Sequence, residues 1–437
     1  MRKRRLLAEA PEIGTQPEEM PTNLFISAGE ASGEHYGALL VAALKRQLAA
    51  TGQTASFFGM GGERMKAAGL ECVVRSEEMA VMGLTEVIVH LPRIWREYRK
   101  LKRAVRARRP SVAVLIDFPE IHFRLAMELQ RLGVPVIFFV SPQLWAWKKK
   151  RLRLVQKYID KMLVIFPFEE AFYRERGVEA EFVGHPLAEL PPPAVSREEF
   201  AAQNSLDPAK MWIGLLPGSR AKEIRDHLPT ILRAARELES SSNSIGERNA
   251  GPSTTFDAKN ASNSAQDDKH FIEFVVPLAP TLNEAQRTEV RRIVAEYGSG
   301  LKLRLVEDAR AALYHARASV VASGTATVEA ALIGNPFVVV YRVSALTFAI
   351  AKRVVKVPFV AMANLIAGKQ IVPELIQDDF TAEKIVQEIE PLLPDGPPRE
   401  SMMKELAWVH SLLAKQSEGG AIDRVAEVTL EMMRRVG

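Results

Sequence analysis

From Asn23 onward, short apolar runs alternate with longer amphipathic stretches. Asn23–Ser27, Val112–Asp117, Val134–Val140 and Lys161–Phe166 are rich in aliphatic and Phe residues, and each predicts a strand. Between them, Gly33–Ala49 and the stretch near Phe123–Arg131 repeat their apolar residues at helical spacing. A Pro-rich stretch, Pro191–Pro193, interrupts the pattern, which then restarts. Trp212–Leu216, Phe271–Pro277, Leu301–Val306, Ser319–Ala322 and Phe337–Tyr341 read as strands, with helices at Ile224–Leu238 and Thr327–Leu332.

Strands that are apolar throughout and alternate with helices imply parallel sheets covered on both faces. The predicted fold class is therefore α/β, with two Rossmann-like domains whose parallel sheets face an inter-domain cleft. The expected divisions are a flexible extension over 1–22, a first domain over 23–190, a linker over 191–200, a second domain over 201–400 and C-terminal helices over 401–437. Residues 240–269 break the pattern: Ser, Asn, Gly, Asp and Thr crowd them and aliphatic residues are almost absent. They cannot bury enough apolar surface to offset their ordering entropy, so a disordered surface insertion is expected there.

Composition narrows this picture. A chain of 437 residues, 47% hydrophobic and 25% charged, is long enough for two buried cores and is not disordered as a whole. The single cysteine, Cys72, excludes an intramolecular disulfide framework and a Cys-only metal cage, and fits a reducing, cytoplasmic setting. The basic start, Met1–Leu7, is followed by too short an apolar run for a signal peptide, and no stretch of about 18 apolar residues predicts a membrane span.

The net charge of +5 is unevenly placed. One basic cluster runs from Arg93 to Arg109 and another from Lys148 to Lys157. Nucleic acid, anionic lipid, a phosphorylated substrate or simply water could answer such clusters. Neither lies in a nucleic-acid-binding motif, so nucleic acid is the least expected partner.

Three turns carry candidate chemistry. Leu216-Pro217-Gly218-Ser219-Arg220 follows a predicted strand and precedes a helix, where free N–H groups and Arg220 favour an anion. Ser323-Gly324-Thr325 repeats that situation, and Glu329 follows on the next helix, where it could accept from a ribose diol or interact with the helix dipole. Together they favour a diphosphate-plus-ribose site. The first domain has Gly29-Glu30-Ala31-Ser32-Gly33, which lacks the full dinucleotide spacing but lets a sugar or an acyl chain approach while Glu30 or Ser32 bonds a hydroxyl. Asp117 ends a strand, where a general base would project into the cleft; capping the next loop is the alternative. Walker, His-Glu-x-x-His and Asp-x-Asp motifs are absent and the eight histidines lack ligand spacing, so neither a metal nor a cofactor is expected. Met82, Leu84, Val87 and Ile88 form an apolar knob, and Leu91, Ile94, Trp95, Tyr98, Leu101 and Val105 recur at helical spacing among the first basic cluster. Such a stretch suits either the surface of an anionic membrane or an ordinary core-facing helix.

Taken together these motifs resemble the lipid-A-disaccharide synthase family, and the resemblance implies the GT-B form of the two-domain α/β fold. The matching blocks include Gly29–Gly33, Ala80–Gly83, Ile116-Asp117, Val140–Trp147, Phe182–Pro186, Leu216–Arg220, Ala322–Ala326 and Asn364–Gly368, in the family's order over roughly residues 23–380. The resemblance implies inverting transfer of a sugar from UDP-2,3-diacylglucosamine to the 6-hydroxyl of 2,3-diacylglucosamine 1-phosphate, peripheral association with the cytoplasmic face of the inner membrane, and a homodimer. With it, Asp117 is expected as general base. Gly218, Ser219, Arg220, Ser323, Gly324 and Thr325 are expected to hold the diphosphate, Glu329 the ribose, and Glu30, Ser32 and Asn364 the sugars. The patch of Met82, Leu84, Val87, Ile88, Leu91 and Trp95 is expected to meet acyl chains or the bilayer. Three features depart from the family pattern: His122 replaces an Asn, Glu34 stands where Asp is common, and the 240–269 insertion has no counterpart. A UDP-N-acetylglucosamine 2-epimerase-like enzyme and a non-catalytic nucleotide-sugar or lipid-binding protein remain the alternatives.

Overall fold

The computed structural model describes residues 22–79, 84–146, 151–249, 272–354, 357–414 and 419–435. Its first domain holds a seven-stranded parallel sheet: β1 Thr22–Ala28, β2 Ala55–Gly61, β3 Glu71–Arg75, β4 Val112–Ile116, β5 Val136–Phe139, β6 Lys161–Val164 and β7 Ala180–Phe182, in the order β3-β2-β1-β4-β5-β6-β7. The second holds six: β8 Met211–Leu216, β9 Ile272–Pro277, β10 Leu303–Val306, β11 Ala318–Ala322, β12 Phe337–Tyr341 and β13 Glu374–Ile376, in the order β10-β9-β8-β11-β12-β13 and again parallel.

The two-residue alternation of strands explains how both faces are covered. On β1, Leu24, Ile26 and Ala28 enter one core, with Leu40 and Leu44 of the helix Ala31–Ala50. Phe25 enters the opposite core, with Leu101 and Val105 of the helix Leu84–Arg108 and Leu125 and Leu129 of the helix Pro119–Arg131. Truncating a buried aromatic such as Phe25 would cost about 3–5 kcal/mol.

Several boundaries differ from the sequence reading. The strand expected to end at Asp117 stops at Ile116, because Asp117 and Phe118 both take left-handed backbone, φ 50° and 51°. The following helix begins at Pro119, well before Phe123, with proline in its first turn. In the linker, Ser196 starts the helix Arg197–Asn204 through a capping box: Glu199 N–H donates to the Ser196 hydroxyl and Glu199 accepts from the Ser196 N–H. The helix expected to end at Leu238 runs from Ala221 to Asn249, so residues 240–249 are helical, not irregular. Ser240 and Ser241 donate their hydroxyls to the carbonyls of Arg236 and Glu237, which lets these residues sit inside a helix. The rest of the expected insertion, 250–269, lies outside the described residues, as does the expected extension up to residue 21.

The C-terminal helices are Pro397–Leu413 and Gly420–Arg434. The second returns to the first domain. Gln47 Nε2 donates to the Asp423 carbonyl at 3.1 Å, and Arg424 reaches Glu181 at 2.7 Å. Among the described residues no helix is long and apolar enough to cross a membrane.

Candidate active site between the two sheets

In each sheet the strand order reverses once, and a crevice opens there beyond the strands' carboxyl ends. In the first sheet the reversal falls between β1 and β4. The turns leaving these strands carry Glu30 and Asp117. In the second it falls between β8 and β11. The turns leaving those strands carry Gly218-Ser219-Arg220 and Ser323-Gly324-Thr325. One cavity of about 690 Å³ is lined from both sides, by Glu30, Ser32 and Asp117 on one wall and Arg220, Ser323, Gly324 and Thr325 on the other.

Asp117 is held firmly. Its N–H donates to the Phe139 carbonyl at 2.9 Å, and its own carbonyl meets His122 Nδ1 at 2.5 Å. A carbonyl only accepts, so Nδ1 carries the proton, and Nε2 is left to accept from the Ser27 hydroxyl at 2.9 Å. Burial lowers the His122 pKa to about 4, so the ring is a neutral strut fixing the left-handed Asp117 backbone. Burial and the nearby Glu30 carboxylate push the Asp117 carboxyl up to about 7, against a hydrogen bond from the Phe118 N–H. Glu30 is also raised, by desolvation against the cleft wall, while Arg220 across the cleft draws it down. A carboxyl poised near neutrality at a cleft wall has the properties of a general base.

The opposite wall holds a resident anion. The Glu223 carboxylate accepts from the Ser219 N–H at 3.2 Å, the Arg220 N–H at 3.3 Å and the Arg220 guanidinium at 3.1 Å. Gly218 makes room for it: φ is 117°, and a Cβ there would lie 2.6 Å from Glu223 Oε2. Buried His227 clips this turn to the end of β12, donating from Nδ1 to the Pro217 carbonyl and accepting at Nε2 from the Arg342 N–H. The donors expected to meet a diphosphate are thus converged on a carboxylate.

Two expected ligands sit elsewhere. Glu329 does not line the cavity; it lies half-buried on the helix Thr325–Ile333, its carboxyl raised by burial and its charge felt at the Tyr36 phenol. Asn364 is fully buried, and all its hydrogen-bonding capacity is used within the protein. Its amide NH₂ donates to the Val372 carbonyl and to Glu374, and its oxygen accepts from the Ile371 and Val372 N–H groups. In this structure Asn364 clamps the loop before β13.

The Val140–Ala146 segment forms a further wall. Trp145 donates its indole N–H to Glu169 at 3.0 Å, and Ser141 pairs with the Tyr173 hydroxyl at 2.7 Å. Glu169 is buried and pushed up to about 8 by that burial, against the Trp145 and Phe166 N–H groups. Trp147 lies outside the described residues. Sequence reasoning missed Glu223, His227 and Glu169. Only Glu223 carried a signal, as an acid three residues beyond Arg220 at a helix start.

The expected membrane patch divides in two. Tyr98, Leu101 and Val105 turn into the core, so that half of the apolar stripe is ordinary packing. Leu91 and Trp95 are about half exposed, and Trp95 stacks on Tyr98 beside a basic cavity lined by Arg99, Lys102, Arg103 and Arg106. Buried Glu97 and Glu128 partly neutralise the cluster, pairing with Lys100 and with Lys102. Met82 lies outside the described residues, and of Leu84, Val87 and Ile88 only the helical backbone is described.

Comparison with known proteins gives the family. A model of the family described as lipid-A-disaccharide synthetase matches residues 24–248 and 252–418. The chain belongs to the lipid-A-disaccharide synthase family. The synthase of Acidobacterium capsulatum is 55% identical over 94% of this chain and 97% of its own length; that of Koribacter versatilis is 46% identical over 94% and 99%. Among solved structures, the calicheamicin glycosyltransferase CalG4 superposes with a TM-score of 0.53 at 18% identity, covering 96% of this chain and 100% of that one. An S. aureus MnaA structure with UDP gives 0.58 at 12% identity, covering 94% and 97%. At such identities the likeness carries the two-domain fold alone, whereas the synthase relatives carry the family. Within that family frame, His122 is a strut behind Asp117, and its side chain does not line the cleft.

Proposed function

We propose that the chain is a lipid-A-disaccharide synthase: a glycosyltransferase that moves a diacylated glucosamine from UDP to the 6-hydroxyl of a diacylglucosamine 1-phosphate. The observation that carries the reading is a poised carboxyl, Asp117, sharing one cavity with Arg220 and two anion-ready turns of the opposite domain. Asp117 removes the proton of the acceptor hydroxyl as its oxygen forms the bond to the anomeric carbon. The bond from that carbon to the diphosphate breaks with its electron pair, and the configuration inverts. Arg220 and the N–H groups of the Ser219 and Ser323–Thr325 turns take up the charge that develops on the departing UDP. Glu30 and Ser32 position the sugars. Glu329 supports the nucleotide side from behind the helix it shares with Thr325. Because both substrates carry acyl chains, the exposed Leu91 and Trp95 with the adjoining basic cavity meet the membrane surface peripherally. The test is transfer between defined acylated donor and acceptor, followed as UDP release with linkage analysis of the product. Asp117→Ala should lose about 10²–10⁴-fold in kcat. Near-normal transfer by that variant would remove Asp117 from the mechanism.

A further inference from the structure

Beyond the two nucleotide turns the cavity changes character. Val357, Phe359 and Val360, in the segment leading to the helix Met362–Ala367, line it together with Leu144 and Trp145 of the opposite domain. The run Val357-Pro358-Phe359-Val360 carries no charge and no side-chain hydrogen-bonding group. Val360 is 41% exposed, and Val357 and Phe359 are only partly covered.

An apolar strip left in solvent would be expected to collapse onto the nearest core. Here its backbone is tied in place. Glu374 accepts from the Val360 N–H at 2.9 Å, the Ala361 N–H at 2.9 Å and the Asn364 amide at 2.8 Å. Asn364 in turn binds the Ile371 and Val372 backbone. The clamp of Asn364 and Glu374 thus holds apolar side chains in the wall of the cavity that also carries the two nucleotide turns.

We propose that Val357–Val360, with Leu144 and Trp145 opposite, is a subsite for an acyl chain of the nucleotide-sugar donor. This rests on the function proposed above. The strip belongs to the domain that carries the nucleotide turns and is continuous with them through one cavity, whereas the acceptor's base, Asp117, lies on the other domain. That assigns the chain to the donor. Asn364 then acts as a positioning residue, shaping the apolar wall without touching a sugar.

The experiment measures dissociation constants for UDP alone and for UDP-glucosamine donors bearing short, intermediate and long acyl chains. Wild-type affinity is expected to rise with chain length, by about fourfold for each methylene withdrawn from water. Val360→Asn and Phe359→Ser should flatten that dependence, costing tenfold or more for the long-chain donor, while the constant for UDP stays as in wild type. Thermal melting reports whether each variant is folded, and the milder Val360→Ser serves if Phe359→Ser is not. A chain-length dependence that persists unchanged in folded variants overturns the subsite, and so does a wild-type protein that binds long- and short-chain donors alike. UDP release with acceptor is read separately. Its absence from a protein showing the chain-length dependence would overturn the transfer reaction and leave the subsite standing.

Discussion

Replacing Asp117 by Asn should make the protein more stable and inactive at once, and the stability gain should depend on pH in a defined way. The Asp117 carboxyl is raised from 3.8 to about 7 by burial and by Glu30. Protons therefore bind it more tightly in the folded chain than in the unfolded one, and folding is favoured while it stays protonated. Its contribution is fully present below the unfolded value, near pH 4, and is lost as pH rises through about 7. The ionised carboxylate at alkaline pH is then a cost of roughly 4 kcal/mol, from about three pKa units at 1.36 kcal/mol each.

An Asn side chain never ionises, and its oxygen can still accept from the Phe118 N–H. The variant should thus match the wild type near pH 4, exceed it by roughly 1.5 kcal/mol at about pH 5, and exceed it by roughly 4 kcal/mol at about pH 8.5. With a shift of about 2–4 °C per kcal/mol for a domain of this size, the gap in melting temperature should widen by about 5–10 °C between those two pH values. Calorimetric melting of both proteins across that range, with transfer measured alongside, is the assay. A gap that is flat with pH, or one that widens toward acid, would refute the assignment of a desolvated, like-charge-perturbed carboxyl to this position.

Three further outcomes follow from contacts described above. His122→Ala should lower kcat more than KM is raised, because it frees the Asp117 carbonyl and leaves buried polar groups costing about 1–3 kcal/mol; His122→Asn should recover part of that loss, since an amide can still donate to the carbonyl, and equal activities for the two variants would argue against a strut. Glu223→Gln should tighten UDP binding about two- to fivefold by removing a charge worth about 0.3–1 kcal/mol at this helix start; weaker binding would show that Glu223 organises the turn and does not merely occupy it. The double variant Leu91→Ser, Trp95→Ser should reduce sedimentation with anionic vesicles while UDP affinity holds, and unchanged sedimentation would place the membrane contact elsewhere.

Much of the fold was legible because buried parallel strands leave continuous apolar runs. Those of β4, β8, β11 and β12 stand out on composition alone. The strands that escaped notice are those where composition and position conflict. In β2, Gly59 and Gly61 interrupt the run, and Gly59 is required because a Cβ would sit 1.9 Å from the Ile26 carbonyl oxygen. β3, β7 and β13 are short strands on or near sheet edges, each carrying a glutamate. Serine content misled in the other direction: residues 240–249 have a loop-like composition, but Ser240 and Ser241 bond back to the preceding turn and the helix continues.

The site was legible where chemistry follows from position along a strand. Asp117, Arg220 and Ser323–Thr325 each leave the carboxyl end of a strand at a reversal of sheet order, and the two sheets bring them to one cavity. Asn364 shows where that logic stops. A motif marks a side chain as constrained without saying by what, and here the constraint is four internal hydrogen bonds that leave nothing for a sugar. Glu223 is the converse case. By itself it is an unremarked acid in a helix's first turn, and only folding shows that it occupies the anion position. The cleft therefore holds three acids in balance: Glu223 against the Arg220 turn, and Glu30 beside Asp117, with Arg220 facing Glu30. A diphosphate that takes Arg220 from Glu223 also weakens its attraction for Glu30. Binding on one wall thereby raises the proton affinity of Glu30 on the other, and a protonated Glu30 no longer adds its charge to the rise at Asp117, whose carboxyl then ionises more readily.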